Sequence, residues 1–128
     1  MVLAARHRPD AARVKLTLPY PPSVNNYWRS IVISGRGRVV LSREARTYKK
    51  RVGDLCALAG VRPLDGPVHL VLHAYRPRKV GDIDGTLKAT LDALQGFAYL
   101  NDSQIVKLEA ERFDDKHNPR MEVTIEPA

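Results

Sequence analysis

The sequence predicts a single α+β domain built on one mixed sheet, with about two main helices packed against it. The chain has 128 residues, which is enough for one buried core but too few for two ordinary domains. Short stretches with an apolar residue at every second position are typical of half-buried strands, and two longer stretches of helical period interrupt them. Because strands and helices do not alternate strictly, we expect the sheet to mix parallel and antiparallel pairs.

The N-terminal part of the chain predicts a strand and a hairpin. Residues 1–12 have no regular apolar pattern and are expected to form a flexible basic tail before a domain spanning residues 13–128. Apolar and polar residues alternate from Val14 to Leu18, and the prolines that follow end this strand because proline cannot donate to a strand ladder. Two apolar stretches flank Ser34-Gly35-Arg36-Gly37 and predict a β-hairpin, since glycine permits the backbone of a tight turn.

Two helices and three further strands complete the predicted fold. Ser42 is a good N-cap for a helix over residues 43–59, and a second helical pattern ends at Gly96. The buried stripe expected for this second helix is Ile83, Leu87, Leu91 and Leu94. The further strands are predicted over residues 68–75, 105–113 and 121–125. The residues of the 105–113 strand that are expected to face inward are Val106, Leu108 and Ala110.

The charge balance favours a polyanionic partner. Lys and Arg total 21 against 14 Asp and Glu, for a formal net charge of +7, which indicates nucleic acid or an acidic membrane face, with solubility alone as the alternative. Cys56 is the only cysteine, so an intramolecular disulfide and a cysteine-rich zinc site are excluded. Every apolar run is shorter than the roughly 18 residues of a membrane span, and no signal-peptide pattern is present, so we expect a cytoplasmic protein with no membrane partner.

Basic, amide and aromatic side chains form the candidate DNA-contacting set. Rings stack on bases, amides reach phosphates or base edges, and cations neutralise phosphates. The set comprises Asn25, Asn26, Trp28 and Arg29 after the first strand, Arg46 and Lys50 on the first helix, and Arg76, Arg78 and Lys79 before the second helix. Turn chemistry around a packed tryptophan and a solvated basic helix face are the structural alternatives.

Acidic residues and a lysine near the second helix form the candidate catalytic site. Asp82 and Asp84 stand at the helix start, Lys88 follows one turn later, and Asp102 lies in the turn before the next strand. Taken singly, these residues also fit a helix cap, an i,i+4 ion pair and a turn. Three converging carboxylates repel one another without a cation, and hard oxygen ligands suit Mg²⁺ or Mn²⁺. Such a metal activates water and polarises a phosphoryl oxygen, while Lys88 would stabilise charge developing on the scissile phosphate.

The order and spacing of these residues also follow a family pattern. Residues 82–89 read DIDGTLKA, residues 91–94 read LDAL, and residues 101–105 read NDSQI. Together they resemble the core of the RusA-type Holliday junction resolvases, approximately D-x-D-N-x-x-K-A-x-x-D-A-L followed by D-D-x-Q. LPYPPSVNN over residues 18–26 is similar to the first strand and loop of that family. Two departures stand out: a glycine replaces the asparagine of the first motif, and an asparagine replaces the first acid of the second.

The resemblance implies a homodimeric, Mg²⁺-dependent endodeoxyribonuclease that binds four-way DNA junctions and resolves them by paired symmetrical nicks, in recombination and repair. It implies metal-ligand roles for the three aspartates 82, 84 and 102, a catalytic cationic role for Lys88 and a supporting role for Asp92. Two other hypotheses remain open. A catalytically silent or differently specific DNA-binding relative is one, because Gly85 leaves a supporting hydrogen bond in doubt. A structural or regulatory protein whose charge serves only solubility is the other.

Overall fold

A computed structural model describes residues 13–79 and 83–128, so the predicted tail over residues 1–12 lies outside the described part of the chain. The strands are β1 (Val14–Pro19), β2 (Trp28–Ile33), β3 (Arg36–Leu41), β4 (Val68–Arg76), β5 (Ile105–Asp114) and β6 (Arg120–Pro127). The helices are α1 (Val24–Tyr27), α2 (Arg43–Leu58) and α3 (Ile83–Leu94), and a 3₁₀ turn covers Asp102–Gln104. None of the described helices is both long and apolar enough to cross a membrane. The predicted α+β class, with two main helices, is confirmed.

Four strands form one mixed sheet in the order β1-β6-β4-β5. Strand β6 pairs antiparallel with β1 and with β4, whereas β4 and β5 are parallel. A parallel pair needs a crossover connection, and the segment containing α3 supplies it. The start of α3 therefore lies toward the end of the sheet where β4 and β5 finish, and its last turn lies toward the end where β5 begins.

The two main helices cover one face of this sheet and form the core with it. Alternate residues of the central strands, among them Leu70, Leu72 and Val123, are at most 1% exposed. Tyr48 and Val52 of α2 pack into the same cluster. The burial of this apolar surface is the main favourable term in the folding of the domain.

Ser42 fixes the start of α2 and ties it to α1. Its Oγ accepts a hydrogen bond from the amide of Ala45 at 3.0 Å, as predicted for an N-cap. The same hydroxyl donates to the carbonyl of Asn26, and the Ser42 amide donates to the carbonyl of Tyr27 at 2.9 Å. The short α1 helix is thereby held against the N-terminal end of α2.

The buried side of α3 differs from the predicted stripe. The fully buried residues of α3 are Ala89, Thr90, Ala93 and Leu94, whereas Leu87 and Leu91 are only half-buried. Small side chains let a helix approach its neighbours closely, so the side of closest packing runs through the two alanines. Thr90 tolerates burial because its hydroxyl donates to the carbonyl of Thr86 at 2.9 Å.

The predicted burial of β5 is wrong. Val106 is 63% exposed, Leu108 is 40% exposed and Ala110 is also exposed. Leu108 stands in register with Leu70 of β4, which is fully buried on the same face of the sheet. Strand β5 lies at the edge of the sheet, and its residues 106–112 stay exposed although α3 contacts this strand. The described residues therefore leave Leu108 and Ala110 uncovered on the face of Leu70, and Val106 is exposed where the register of β4 and β5 shifts.

The predicted hairpin is confirmed as a separate two-stranded ribbon formed by β2 and β3. Ser34 and Gly35 connect the strands with φ angles of 53° and 76°. Positive φ at both central residues is the geometry of a type I′ turn, whose twist suits a two-residue hairpin. The sequence predicts a loop over residues 23–29, but Trp28 and Arg29 instead begin the first strand of this ribbon.

Candidate active site

The N-terminal half of α3 presents two of the predicted catalytic side chains to solvent. Asp84 lies exposed in the first turn, where a carboxylate interacts favourably with the helix dipole. Lys88 is exposed one turn later, so the two side chains share a helix face as predicted. Asp82 lies outside the described residues.

An aromatic ring holds the Lys88 side chain. The Lys88 ammonium lies 5.4 Å from the centroid of the Trp28 ring, a cation–π contact of about 0.5–1 kcal/mol where water has access. In the described part of the chain this ring, and not Asp84, is the partner of the ammonium. Trp28 is half-buried and meets Tyr27 edge to face with the ring centroids 4.5 Å apart. The cation is thus positioned by an aromatic pair while its donors remain open to a ligand.

Asp92 fastens α1 to α3. Its Oδ2 accepts a hydrogen bond from the Tyr27 hydroxyl at 2.7 Å. Burial, followed by this hydrogen bond, raises the pKa of Tyr27 well above its ordinary value, so the hydroxyl stays protonated and keeps donating. The contact fixes the segment that carries Trp28, and through it the position of Lys88.

The C-terminal end of α3 is held by α2. The Lys49 ammonium donates to the carbonyl of Asp92 at 2.6 Å and to that of Gln95 at 3.1 Å, which places a cation at the negative end of the helix dipole. Phe97 packs directly on Gly53 of α2, where an added Cβ would come within 2.6 Å of the ring. A side chain at position 53 would therefore displace the Phe97 ring.

Asp102 lies beside this same C-terminal end. Its amide donates to the Gln95 side-chain oxygen at 3.1 Å, and its own side chain is exposed at the start of the 3₁₀ turn. Asn101, one of the two departures from the family pattern, caps the turn by accepting from the amide of Ser103 at 2.9 Å. Asparagine and aspartate both serve this capping purpose well, so the departure leaves the local backbone intact.

Gln104 ties the Asp102 turn to the domain. Its side-chain oxygen accepts from the amides of Leu100 and Asn101, both at 2.8 Å. Its side-chain nitrogen donates to the carbonyls of Leu64 and Gly66 at 2.7 and 2.8 Å. All the hydrogen-bonding groups of this amide are used within the chain, which makes Gln104 a positioning residue.

Comparison with known proteins agrees with this arrangement of motifs. The family model described as Endodeoxyribonuclease RusA matches residues 19–126. The chain belongs to the RusA family. Crossover junction endodeoxyribonuclease RusA of Escherichia coli K12 is 34% identical over 114 residues, covering 86% of this chain and 91% of the relative. Its namesakes from Shigella sonnei and Enterobacteria phage 82 are 34% and 33% identical over the same coverage.

The RusA-family pattern spans both ends of α3. Asp84 belongs to the first turn and Asp102 adjoins the last, so the helix separates the two positions by roughly 15 Å along its axis at 1.5 Å per residue. Among residues 13–79 and 83–128, no group of three or more His, Cys, Asp or Glu side chains is arranged to hold a metal ion. Of the three aspartates predicted as metal ligands, the structure describes Asp84 and Asp102, which lie at opposite ends of α3.

The candidate DNA-contacting residues of this RusA-family chain lie on several elements. Asn25 and Asn26 belong to α1, Trp28 and Arg29 to β2, Arg46 and Lys50 to α2, Arg76 ends β4, and Arg78 and Lys79 follow it. Arg46 donates to the carbonyl of Leu41, and Lys50 is paired with Asp54 at 3.1 Å, yet both remain exposed. Arg76 forms an ion pair with Asp114, and its hydrogen bond lowers the pKa of the Asp114 carboxyl below the ordinary value.

Sequence reasoning assigns no role to three residues that position the site. The spacing of Asn101 and Gln104 is a capping-box signal, so the role of Gln104 is open to prediction. Tyr27 and Lys49 reach α3 across 65 and 43 positions of the chain. A local pattern carries no information about such contacts.

Proposed function

We propose that this RusA-family endodeoxyribonuclease resolves four-way DNA junctions by paired symmetrical nicks in a Mg²⁺-dependent reaction, with Mn²⁺ as an alternative metal. The exposed Asp84–Lys88 face of α3 carries the proposal, because it offers a carboxylate and a positioned cation to a phosphodiester. Relatives named crossover junction endodeoxyribonuclease, matched over 86% of the chain, support junctions as the substrate. The proposed reaction serves DNA recombination and repair, and its proposed location is the cytoplasm.

The catalytic carboxylates are those of Asp82, Asp84 and Asp102, whose hard oxygens fit Mg²⁺. The metal would supply a water of lowered pKa and charge compensation at the phosphate. Asp84 stands exposed where the backbone dipole of α3 keeps a negative charge favourable. Lys88 donates to a nonbridging phosphate oxygen and stabilises the charge that grows there, while Trp28 limits the positions its side chain can take.

The active unit in this proposal is a homodimer joined through β5. A long edge strand with exposed apolar side chains offers its unpaired backbone groups to a strand of another chain. Its sequence is self-complementary in an antiparallel two-fold pair centred on Leu108. Val106 then faces Ala110 of the second copy, and Lys107 faces Glu109 of the second copy, each pair occurring twice. Apolar contacts fall on one face of the extended sheet and opposite charges on the other.

This pairing would bring an Asp102 carboxylate of the second copy toward the start of α3. In an antiparallel pair the beginning of one strand lies beside the end of the other. Asp102 comes just before β5, and α3 begins toward the end where β5 finishes. The partner's Asp102 would then stand at the same end of the joined sheet as Asp84. Each metal centre would be shared between the two copies, and two centres related by a two-fold axis suit paired nicks in a junction of matching symmetry.

A cleavage assay on a synthetic four-way junction tests the function. We expect Mg²⁺-dependent nicks at symmetrical positions of two opposing strands, no cleavage with EDTA, and far less cleavage of a linear duplex of the same sequence. Binding to the junction without cleavage in either Mg²⁺ or Mn²⁺ would instead support the catalytically silent relative. An absence of preferential DNA binding would favour a structural role.

The basic face of α2 is expected to contribute affinity rather than chemistry. Changing Arg46 and Lys50 together to glutamine should weaken junction binding and reduce the slope of log K against log salt by about two, because each cation neutralises one phosphate. The rate of cleavage at saturating enzyme should stay close to that of the wild type. Binding is measured by titration at several salt concentrations with Ca²⁺ in place of Mg²⁺.

Arg62→Gln provides the matched control, because Arg62 is an exposed cation in the loop after α2. A salt slope unchanged by the double substitution would remove α2 from the DNA-contacting surface. The variant also breaks the exposed Lys50–Asp54 ion pair, worth about 0.3–0.5 kcal/mol, and the exposed hydrogen bond from Arg46 to the Leu41 carbonyl. A thermal melt separates that small destabilisation from the weakening of DNA binding.

A further inference from the structure

The β2–β3 ribbon has one strongly cationic face. Residues 28–41 contain three arginines and no acidic residue. Strand pairing sets Arg29 opposite Val40, Arg38 opposite Ile31 and Arg36 opposite Ile33. Directly paired residues share a face, and residues two apart along a strand do so too, so all three arginines lie on one side of the ribbon. Each of them is exposed.

The opposite face is half-buried near the core and exposed near the turn. At the end of the ribbon nearest the core, here called its root, Trp28 pairs with Leu41, and both are half-buried. Farther out, Val39 is 68% exposed and Val32 is 73% exposed on the same face. Ile33, 46% exposed, adjoins the turn on the arginine face, where it pairs with Arg36. The outer half of the ribbon therefore carries apolar side chains that contact little else in the described part of the chain.

The root of the ribbon adjoins the candidate catalytic lysine. Trp28 is the first residue of β2, and its ring holds the Lys88 ammonium. From Trp28 to Ile33 the strand extends roughly 17 Å at about 3.3 Å per residue. That length corresponds to about five nucleotides of a stacked strand. A DNA strand whose phosphate lies at Lys88 thus has the ribbon tip within reach of nearby bases.

We propose that the ribbon enters the branch point of a four-way junction and packs its apolar tip against the base pairs that flank the opening. Apolar side chains used in this way separate neighbouring base steps, and a two-stranded ribbon is narrow enough to enter a DNA groove. Val32 and Ile33 meet the exposed faces of the bases, while Arg36 and Arg38 neutralise phosphates of the adjoining arms. The inference rests on the proposed function, since it takes junction DNA as the substrate.

The tip would distinguish a junction from a duplex. In an intact duplex every base is stacked on two neighbours, so an inserted side chain must first separate them at a cost in free energy. At a branch point the continuity of stacking is already interrupted, and the same insertion costs less. The arginine face, which contacts phosphates of either DNA form, supplies affinity without this preference. A ribbon free of acidic residues favours DNA over a second protein as the occupant.

The test replaces Val32 and Ile33 together by serine in the full chain. Binding is measured with Ca²⁺ in place of Mg²⁺, on a four-way junction and on a linear duplex of equal length. We expect junction affinity to fall at least about tenfold, as for the loss of one buried aliphatic side chain, with duplex affinity unchanged within about twofold. A 2-aminopurine placed at the branch point should brighten when wild-type protein binds and brighten much less with the variant. Leu58→Ser, at a leucine that is 84% exposed on α2, is the matched control and should behave as wild type.

A second variant separates charge from insertion. Changing Arg36 and Arg38 together to glutamine should weaken junction and duplex binding alike and lower the salt slope by about two. A tip variant that keeps the wild-type ratio of junction to duplex affinity, and the wild-type 2-aminopurine signal, overturns the inference while the resolvase proposal stands. Loss of self-association in the tip variant, seen by sedimentation, would assign the tip to a protein contact instead. A wild-type protein with no preference for junctions would defeat both proposals.

Discussion

Replacing Asp84 by asparagine is expected to abolish junction cleavage while junction affinity stays the same or rises. The substitution keeps the size of the side chain and removes the negative charge that would hold Mg²⁺. Losing several kcal/mol of stabilisation in the transition state corresponds to a rate reduced by about 10³-fold or more. Affinity should not fall, because the carboxylate that the substitution removes also repels the phosphate of the substrate.

Stability is the necessary control for this variant. Asp84 is exposed, and its contribution to folding is limited to its interaction with the helix dipole, about 0.3–1 kcal/mol. Asparagine also serves well near a helix start, so the melting temperature should change by only a few degrees at most. Asp65→Asn, at an exposed carboxylate in the loop before β4, is the matched variant and should cleave at the wild-type rate. Cleavage by Asp84→Asn at a comparable rate would remove this residue from the catalytic set.

The parts of the fold that local chemistry determines could be predicted. Alternation locates β1, β4 and β6, and Ser42 is recognisable as the N-cap of α2 because a hydroxyl before a helical pattern satisfies free amides. The hairpin follows from a Ser-Gly turn between apolar strands. In each case the deciding interactions join residues close in sequence.

The burial of a side chain depends on which elements pack against it, and a local sequence pattern does not contain that information. Alternation correctly assigns Leu108 to the face shared with Leu70, but cannot tell that β5 is an edge strand whose residues stay exposed. In α3, hydrophobicity points to Leu87, whereas close packing selects the smaller Ala89 and Ala93. Both differences arise from the placement of whole elements relative to one another.

The candidate site also has features that the sequence predicts and features that only the fold shows. Helical spacing is sufficient to place Asp84 and Lys88 on one exposed face. The contact between Lys88 and Trp28 joins distant parts of the sequence, so only the fold reveals it. The sequence motif also suggests three aspartates in one cluster, without indicating that α3 lies lengthwise between Asp84 and Asp102.

Mixing two inactive variants is expected to restore cleavage if the metal centres are shared between copies. In a dimer of Asp84→Asn with Asp102→Asn, one centre contains both substitutions and the other contains neither. Random exchange makes about half of the dimers mixed, so about a quarter of the centres are intact. The mixture should nick junctions, and most products should carry a single nick, because each mixed dimer has one working centre. Each variant alone should be inactive.

A second mixture provides the control. Asp84 and Lys88 lie on the same helix face and act in the same centre, so a dimer of Asp84→Asn with Lys88→Ala has two defective centres and should stay inactive.

Placing Leu108→Arg in both partners should remove the recovery of the first mixture, because two arginines would meet on the two-fold axis. Light scattering at micromolar concentration should then show monomers, whereas the wild type should show dimers. If the first mixture remains inactive although its partners exchange, Asp102 acts within its own chain and the shared centre is wrong. If Leu108→Arg leaves the dimer intact, the two copies associate through a surface other than β5.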